Sequence, residues 1–434
     1  MDILLINSSD KDKSSQAGQS PPLGLAYIAS VLLAHGYRVS VIDFNVNGFN
    51  PVLLERIITK ERPSIAGISV DTRTYPNGLK IAEIVKSINP ETLVIMGGPH
   101  ATVMYSEVAK ERVVDFVVRG EGEYTMLELV DCLLRKKGDI SEVRGIAFLD
   151  NDLLRVTPER PFIKNPDELP LPARDLFPLF LYKSPGQVLL SRGGCPFKCR
   201  FCAVNNIWKG ARRFREPAKV KEEILSLFRD YDLEEISFVD DTFSLNRNIA
   251  LNLCELATGI REVFPWFWKC ATRVDMIDSE LLEKMRQAGC YSITYGIEAG
   301  SQEVLDLIGK GITLSQVRHA VDMTIAAGIK TICNFMFPHP YDTEETVQQQ
   351  RKLMQELANM GATVGLNLTV PFPGTYYYTH RNELGIKIHA HNWDEFDYNH
   401  IVISTRHFTL ERLESLVAEI LHELGQDVGV EFSP

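Results

Sequence analysis

The stretch LLSRGGCPFKCRFCAVNNIW, residues 189–208, holds three of the chain's eight cysteines, separated by gaps of three and two residues. Cys195, Cys199 and Cys202 follow a short apolar strand pattern, and the preceding glycines keep the segment from continuing as a helix. A structural zinc site has four ligands, so a loop with three thiols and no nearby fourth Cys or His leaves one position open. The spacing admits an open zinc site, a CxxC redox pair of Cys199 and Cys202, or an iron–sulfur cluster with one iron lacking a protein ligand. It favours the cluster.

The composition predicts a globular protein with two or three domains. The chain has 434 residues, 45% of them apolar and 24% charged. Its net charge of -11 and the absence of any Lys/Arg block argue against nucleic-acid binding. The longest apolar run, residues 23–37, is too short to span a bilayer, and no secretion signal begins the chain. We therefore expect a cytoplasmic protein. Its five isolated cysteines are expected to be buried apolar residues rather than disulfide partners: Cys132, Cys254, Cys270, Cys290 and Cys333.

The first ~140 residues, upstream of the cysteine loop, alternate between strand and helix patterns. Short apolar strands are predicted at 2–6, 38–44, 64–70, 92–98 and 114–120, each followed by turn residues. Five such units predict a Rossmann-like, doubly wound parallel sheet, on which ligands bind at the carboxyl ends of the strands. Glycine and polar residues collect at those ends, which indicates a pocket for a large ligand; the alternative is plain turns. No GxGxxG follows the first strand, which disfavours a dinucleotide.

The remainder of the chain predicts a second α/β domain. Residues 141–185 read as a β-hairpin and a proline-rich linker. Six strands then alternate with helical segments over 186–375, with helix caps at Asp278 and Thr313, which predicts a partial (β/α)6 barrel. Residues 376–434 are predicted to be a small α+β region that covers the barrel and ends in a helix at 410–425. The predicted fold class is α/β, with a Rossmann-like domain over 1–140 followed by the barrel.

CPFKCRFC resembles the CxxxCxΦC signature of the radical S-adenosylmethionine (SAM) enzymes, with Phe201 as the aromatic residue. The resemblance implies a [4Fe–4S] cluster on the three cysteines, whose unliganded iron binds SAM and whose electron cleaves SAM to a 5′-deoxyadenosyl radical. The stretches 21–45, 117–123, 169–178 and 237–243 are similar to the cobalamin-binding members of that family. They imply that residues 1–140 bind vitamin B12.

The resemblance also implies residues that contact SAM. They are Asp240 or Asp241 for the amino group, with Asp241 favoured, Arg273 for the carboxylate, Glu298 for the ribose and the backbone of Phe201 for adenine. Two alternatives stay open. Asp241 and Glu298 are also suited to capping helices, and Arg273 to a structural ion pair with Asp275 or Asp241.

Cobalamin contacts are implied at the strand ends of the first domain. The absence of a DxHxxG motif implies that cobalt lacks a His ligand and that its lower face meets residues 71–75, near Arg73 or Tyr75. His100 is expected to be structural or to touch the nucleotide tail. The full set of expected contacts is Ser69, Thr72, Arg73, Tyr75, Gly97, Gly98, His100, Gly120, Glu121 and Gly122.

The function implied is methyl transfer to an unactivated carbon of a small organic metabolite, with flavodoxin or ferredoxin as the electron donor. One alternative is a cobalamin-dependent radical enzyme that forms rings, oxidises or rearranges without methylation. Another is an iron–sulfur and corrinoid sensor without turnover. An RNA methylthiotransferase is disfavoured, because it needs a second cysteine trio and the first domain has only Cys132. The His-rich stretch 389–400 is interpreted as substrate-pocket lining or as cover for the barrel mouth rather than as a second metal site.

Overall fold

The computed structural model of the protein describes residues 1–9, 20–398 and 400–425. The chain forms two compact units: an N-terminal unit of Met1–Pro185 with Asn392–Glu395, and a C-terminal unit of Gly186–His391 with Phe396–Pro434. Residues 10–19, which are most of the loop expected after the first strand, lie outside the described part. Among the described helices, none combines the length and the apolar character needed to cross a membrane.

The N-terminal unit is built on seven strands. They are β1 Ile3–Asn7, β2 Val39–Asp43, β3 Ile65–Ser69, β4 Leu93–Gly97, β5 Phe116–Val118, β6 Ile146–Asp150 and β7 Leu153–Val156. The sheet order is β2-β1-β3-β4-β5-β6-β7, with β1 to β5 parallel and β6 and β7 antiparallel. The predicted doubly wound sheet is thereby confirmed. The hairpin that we assigned to the linker instead extends this sheet by two strands.

The strand order creates a ligand crevice in this sheet. Because β1 lies between β2 and β3, the direction of winding reverses there, and a crevice opens at the carboxyl ends of the strands. Asn7, Ser69 and Gly97 end β1, β3 and β4 in register with one another. The glycine and polar residues of the expected pocket thus follow adjacent strands.

Seven helices belong to this unit. They are α1 Leu23–Ala34, α2 Phe44–Asn47, α3 Pro51–Glu61, α4 Tyr75–Ile88, α5 Pro99–Val103, α6 Tyr105–Val108 and α7 Gly122–Arg135. Between β4 and β5 the chain forms two short helices, α5 and α6. The sheet core between the helices is apolar throughout, with Ile6, Ile68 and Met96 almost fully buried.

The described part of the C-terminal unit contains ten strands. They are β8 Gln187–Val188, β9 Ser191–Gly193, β10 Arg212–Phe214, β11 Glu235–Phe238, β12 Phe267–Thr272, β13 Cys290–Glu298, β14 Lys330–Phe337, β15 Thr363–Leu368, β16 Lys387–Ile388 and β17 Ile403–Ser404. Six of them form a parallel sheet in the order β15-β14-β13-β12-β11-β8. Each strand pairs with the next one of this sheet along the chain, which is consistent with the predicted partial barrel. β9 with β10 and β16 with β17 form two small antiparallel ladders.

Ten helices accompany these strands. They are α8 Val204–Trp208, α9 Pro217–Tyr231, α10 Arg247–Arg261, α11 Ser279–Gln287, α12 Gln302–Leu307, α13 Leu314–Ala326, α14 Glu344–Asn359, α15 Tyr376–Thr379, α16 Arg381–Leu384 and α17 Leu410–Glu423. Both predicted caps are confirmed: Asp278 accepts from the Leu281 N–H, and Thr313 forms a capping box with Gln316. The five isolated cysteines are all buried, as predicted.

Candidate active site

The three clustered cysteines lie on one loop that a small ladder closes. β9 and β10 pair directly before and after residues 194–211, so both ends of the loop are fixed. Gly193 has a φ of 109°, and a Cβ there would meet the Ala211 carbonyl oxygen at 2.3 Å. Only glycine therefore allows the two strands to approach this closely.

The trio itself suits a cluster. All three thiols are free and partly buried, and the Cys202 N–H donates to the Cys199 carbonyl at 3.1 Å, which gives the loop a tight turn. Burial raises the pKa of Cys202 to about 12. In the described residues no three His, Cys, Asp or Glu side chains converge on a point that one ion would fill. A [4Fe–4S] cluster does not need such convergence, because each thiolate binds a different iron.

The two aspartates after β11 differ in their surroundings. Both oxygens of Asp240 accept hydrogen bonds, from the Leu190 N–H at 2.9 Å and from the Ser191 N–H and hydroxyl at 2.7 and 2.6 Å. Burial raises the pKa of Asp240 to about 6, and these hydrogen bonds oppose that shift. Asp241 is an exposed residue whose carboxylate accepts from the backbone N–H of Cys195, and desolvation raises its pKa to about 6 as well. Asp240 is therefore engaged by the chain, whereas Asp241 remains accessible beside the cluster loop.

Arg273 follows β12 and is buried among its own partners. Its Nε and Nη2 each donate to Asp275 at 2.9 Å, and Nη2 also donates to the Lys310 carbonyl at 2.9 Å. The guanidinium lies 3.6 Å above the ring of Phe197, which belongs to the cluster loop. Of the expected alternatives, the ion pair with Asp275 is present. The Arg273 side chain therefore packs against the cluster loop.

Glu298 ends β13 at an irregularity in the strand. The register of β13 shifts between Gly296 and Glu298, and Glu298 has a φ of 74°. Its side chain turns back over Gly296, where a Cβ would lie 2.3 Å from Oε1, and Oε1 accepts from Lys310 Nζ at 2.9 Å. The capping alternative is wrong for both acids, because Ser301 occupies the N-cap of α12 and Thr242 that of the short turn after Asp241.

Phe201 contacts a histidine that the sequence analysis did not identify. The rings of Phe201 and His339 are 5.9 Å apart, and His339 is fully buried. Its Nδ1 lies 2.9 Å from the Tyr377 hydroxyl and its Nε2 3.2 Å from the Glu298 carbonyl. This histidine therefore links the cluster loop, the end of β13 and α15.

Two missed residues had a usable signal in the sequence. His339 comes two residues after the apolar run TICNFMF, residues 331–337, and so near the carboxyl end of a strand, as Asp241 and Glu298 do. Lys310 lies between Gly309 and Gly311, and no other charged residue lies within three positions of it on either side. Neither residue lies in a recognised motif, so neither was predicted to be a site residue.

The turn after β15 is fastened to the cluster loop. The side chain of Asn206 donates to the Gly374 carbonyl, and the Tyr377 N–H donates to the Arg200 carbonyl at 3.3 Å. Phe372 in this turn lies edge-on to Tyr398, with ring centroids 5.7 Å apart. Tyr398 of the His-rich stretch 389–400 thus contacts a turn that is hydrogen-bonded to the cluster loop.

The His-rich stretch 389–400 makes local hydrogen bonds. His389 Nε2 lies 2.8 Å from the Ser404 hydroxyl, and His400 Nδ1 lies 2.9 Å from both oxygens of Asp397. These contacts tie the histidines to their own ladder and turn. They agree with a structural or lining role for the stretch.

In the N-terminal unit, some of the residues after β3 and β4 are buried and others are partly exposed. His100 is buried, its Nδ1 lies 3.2 Å from the Thr72 hydroxyl, and its ring stacks on Tyr75 at 4.4 Å. Burial lowers the pKa of His100 to about 4, so the ring is neutral. Ser69, Arg73, Gly97 and Gly98 are partly exposed at the strand ends. Gly98 has a φ of 99°, and a Cβ there would meet the Val70 carbonyl at 2.5 Å.

Two of the residues expected to contact cobalamin, Glu121 and Gly122, contact other parts of the N-terminal unit. Glu121 is buried and accepts from the Ile163 N–H at 2.7 Å, so its carboxylate holds the linker. Gly122 lies against α1, where a Cβ would be 2.8 Å from Cδ1 of Ile28. Only Gly120 of this trio is exposed, with a φ of 73° and open space around its missing Cβ. Glu121 and Gly122 thus make packing contacts within the unit, and their contact with cobalamin stays a prediction.

Comparisons with known proteins agree with both units. Residues 14–130 match the family profile described as "B12 binding domain", and residues 190–354 match "Radical SAM superfamily". An uncharacterised methyltransferase of Pyrococcus horikoshii is 33% identical over 92% of this chain and 86% of its own. The anaerobic magnesium-protoporphyrin IX monomethyl ester cyclase of Rubrivivax gelatinosus is 29% identical over 92% of this chain and 72% of its own.

A solved structure matches the fold of the chain. The radical SAM methyltransferase TsrM of Kitasatospora setae, solved with cobalamin and a [4Fe–4S] cluster, has a TM-score of 0.78, with 18% identity, over 98% of this chain and 89% of its own. The predictions of a B12-binding domain followed by a radical SAM domain are confirmed.

Proposed function

Because the chain belongs to the cobalamin-binding radical SAM enzymes, we propose that it transfers a methyl group to an unactivated carbon of a small organic molecule. Its cofactors are cobalamin, a [4Fe–4S] cluster and SAM. When bound, they supply a methyl carrier, an electron and a hydrogen-abstracting radical. The observation that carries the proposal is the joint presence of a B12-binding domain and the three-thiol loop in a chain that is 33% identical to a named methyltransferase.

We assign the cluster and SAM to residues of the C-terminal unit. Cys195, Cys199 and Cys202 hold the cluster. The exposed Asp241 binds the SAM amino group, and the oxygen of Glu298 that Lys310 does not occupy accepts from the ribose hydroxyls. The backbone of Phe201 lies against adenine. Asp240 and Arg273 support this set through their own partners rather than by contact with SAM.

The cobalamin site is assigned to the open strand ends of the N-terminal unit. Ser69, Gly97, Gly98 and Gly120 line it, since glycines allow a wide ligand to approach the backbone. Arg73 lies nearest the lower face of the corrin, where no histidine of a DxHxxG motif is available. Behind them, a buried layer fixes the loops: Thr72, Tyr75 and His100.

We propose a flavodoxin- or ferredoxin-like protein as the electron donor. Residues 187–215 contain seven Lys or Arg and no Asp or Glu, in a chain of net charge -11. Such a basic segment around the cluster favours an acidic partner. Its basic residues are Arg192, Lys198, Arg200, Lys209, Arg212, Arg213 and Arg215. Arg192 and Arg215 are buried, Arg215 in an ion pair with Glu223, so the proposed surface consists chiefly of the exposed Lys198, Lys209 and Arg212. The free cysteines and the oxygen-sensitive cluster are suited to a reducing cytoplasm.

Charge reversal tests this donor surface. Lys198→Glu with Arg212→Glu should slow cluster reduction by an acidic flavodoxin at least roughly tenfold at low salt, while reduction by dithionite is unchanged. Arg56→Glu with Lys60→Glu, exposed on α3, is the matched control and should have no effect. Equal rates for the two double variants would refute the docking surface.

Counting products tests methyl transfer. With a strong reductant and cobalamin, each methylated product should appear with one S-adenosylhomocysteine and one 5′-deoxyadenosine. A reaction without methylation is the second candidate, because one relative is named as a cyclase. Such a reaction should form 5′-deoxyadenosine without S-adenosylhomocysteine. A sensor predicts neither. Screens of small metabolites under anaerobic conditions, read by mass spectrometry, distinguish the three.

A further inference from the structure

Two buried ion pairs lie next to each other beneath the cluster loop. Lys310 pairs with Glu298 at 2.9 Å, and Arg273 pairs with Asp275 at 2.9 Å. The cations are almost fully buried, with 7% of Lys310 and 4% of Arg273 exposed. A hydrogen bond from Arg273 Nη2 to the Lys310 carbonyl joins the two pairs. Their charges therefore act in a poorly screened environment.

The cluster loop packs directly on these two pairs. The Arg200 N–H donates to the Ile308 carbonyl at 2.9 Å, and a Cβ on Gly309 would lie 3.4 Å from the Lys198 carbonyl. Arg273 stacks on Phe197 on the other side of the loop. Residues on both sides of Cys199 are thus in contact with the segment that carries Lys310.

The two pairs lie against the cysteine loop at residues on either side of Cys199. The Arg273 guanidinium is 3.6 Å from the ring of Phe197, and the segment that leads into Lys310 contacts the loop at Lys198 and Arg200. At such short range, each buried charge affects the energy of any charge on the loop. A negative charge at the cysteine loop is therefore stabilised by both cations and destabilised by Glu298.

We propose that Lys310, assisted by Arg273, raises the reduction potential of the cluster, and that Glu298 opposes it. Reduction adds one negative charge to the cluster, and nearby buried charges shift the potential of such clusters. Lys310 is thereby a positioning residue for Glu298 and an electrostatic partner of the cluster. This inference rests on the proposed assignment of the cluster to the three cysteines.

Redox titration of the reconstituted full-length protein, followed by electron paramagnetic resonance without SAM, tests the proposal. Lys310→Met should lower the midpoint, so that at the wild-type midpoint the ratio of reduced to oxidised cluster falls about tenfold, equivalent to about 59 mV. Lys310→Arg, which keeps the charge, should stay near wild type. Glu298→Gln should shift the midpoint in the opposite direction from Lys310→Met.

A second pair of charges provides an independent test. Asp275→Asn removes the negative partner of Arg273 and should therefore raise the midpoint potential of the cluster. This variant tests the proposal even if the Lys310 variants do not fold. Iron content and circular dichroism of each variant report on assembly and folding. Unchanged midpoints in Glu298→Gln and Asp275→Asn, or shifts of every variant in one direction, overturn the proposal. Failure of the cluster assignment is distinct, because the wild-type protein would then bind no four-iron cluster.

Discussion

At the scale of single residues, the adjacent aspartates Asp240 and Asp241 differ in what their carboxylates contact. Asp240 satisfies three donors of the β8–β9 segment, which fixes the strand from which the cysteine loop departs. Asp241 is exposed beside Cys195. Adjacent residues of an extended segment point in opposite directions, so one carboxylate faces the interior of the fold and the other lies at the surface beside the cysteine loop.

Alanine substitutions separate the two tasks. Asp240→Ala leaves buried donors without a partner and should lower the free energy of unfolding by about 1–3 kcal/mol. Asp241→Ala removes an exposed acceptor of one backbone N–H, so it should lower the free energy of unfolding by less than Asp240→Ala does, and it should weaken SAM binding roughly tenfold or more. Thermal melts and equilibrium dialysis with SAM measure the two effects. A stable Asp240→Ala protein with weakened SAM binding would reverse our assignment.

At the scale of elements, the approach of α14 to the end of β13 depends on Gly300. A Cβ on Gly300 would lie 2.2 Å from the Cα of Gln350, which belongs to α14. The Gly300 N–H also donates to the Gln350 side chain at 3.3 Å. The helix therefore packs on bare backbone two residues after Glu298, which fixes the position of that carboxylate.

Gly300→Ala should lower the free energy of unfolding by about 1–3 kcal/mol, because backbone atoms cannot yield as a flexible side chain does. Gly259→Ala is its matched control: Gly259 is exposed in α10 with nothing within 4 Å of a Cβ. That change should raise the same free energy by roughly 0.5–1 kcal/mol. Urea unfolding of both variants measures the difference, and equal effects would contradict the packing argument.

The pattern of elements was readable from the sequence because it depends on local periodicity and on turn residues. Short apolar strands and capped helices predicted both sheets, and Asp278 and Thr313 cap where expected. The side-chain partners were not readable in the same way. Glu121 bonds a linker residue 42 positions away, and Arg273 meets a carbonyl 37 positions away. Such pairings follow from strand order, which local patterns do not specify.

At the scale of the whole molecule, two units with separate folds bring two kinds of cofactor chemistry into one chain. The first has the carboxyl-end crevice of a doubly wound sheet, and the second has a three-thiol loop at the start of a parallel sheet. The resemblance of CPFKCRFC to the CxxxCxΦC signature identified the second, because the spacing alone also admits an open zinc site or a redox pair. The substrate was not readable, because the residues that recognise it share no motif.

The central claim is that the cysteine trio holds a catalytic [4Fe–4S] cluster in a cobalamin enzyme. The most direct measurement compares wild type with the Cys195→Ala, Cys199→Ala, Cys202→Ala triple variant after anaerobic reconstitution, by iron, zinc and corrinoid content and by 5′-deoxyadenosine formed with dithionite. We predict about four irons and SAM cleavage in wild type, and a variant that keeps cobalamin but loses both. One zinc in wild type, or SAM cleavage by the variant, would contradict the account.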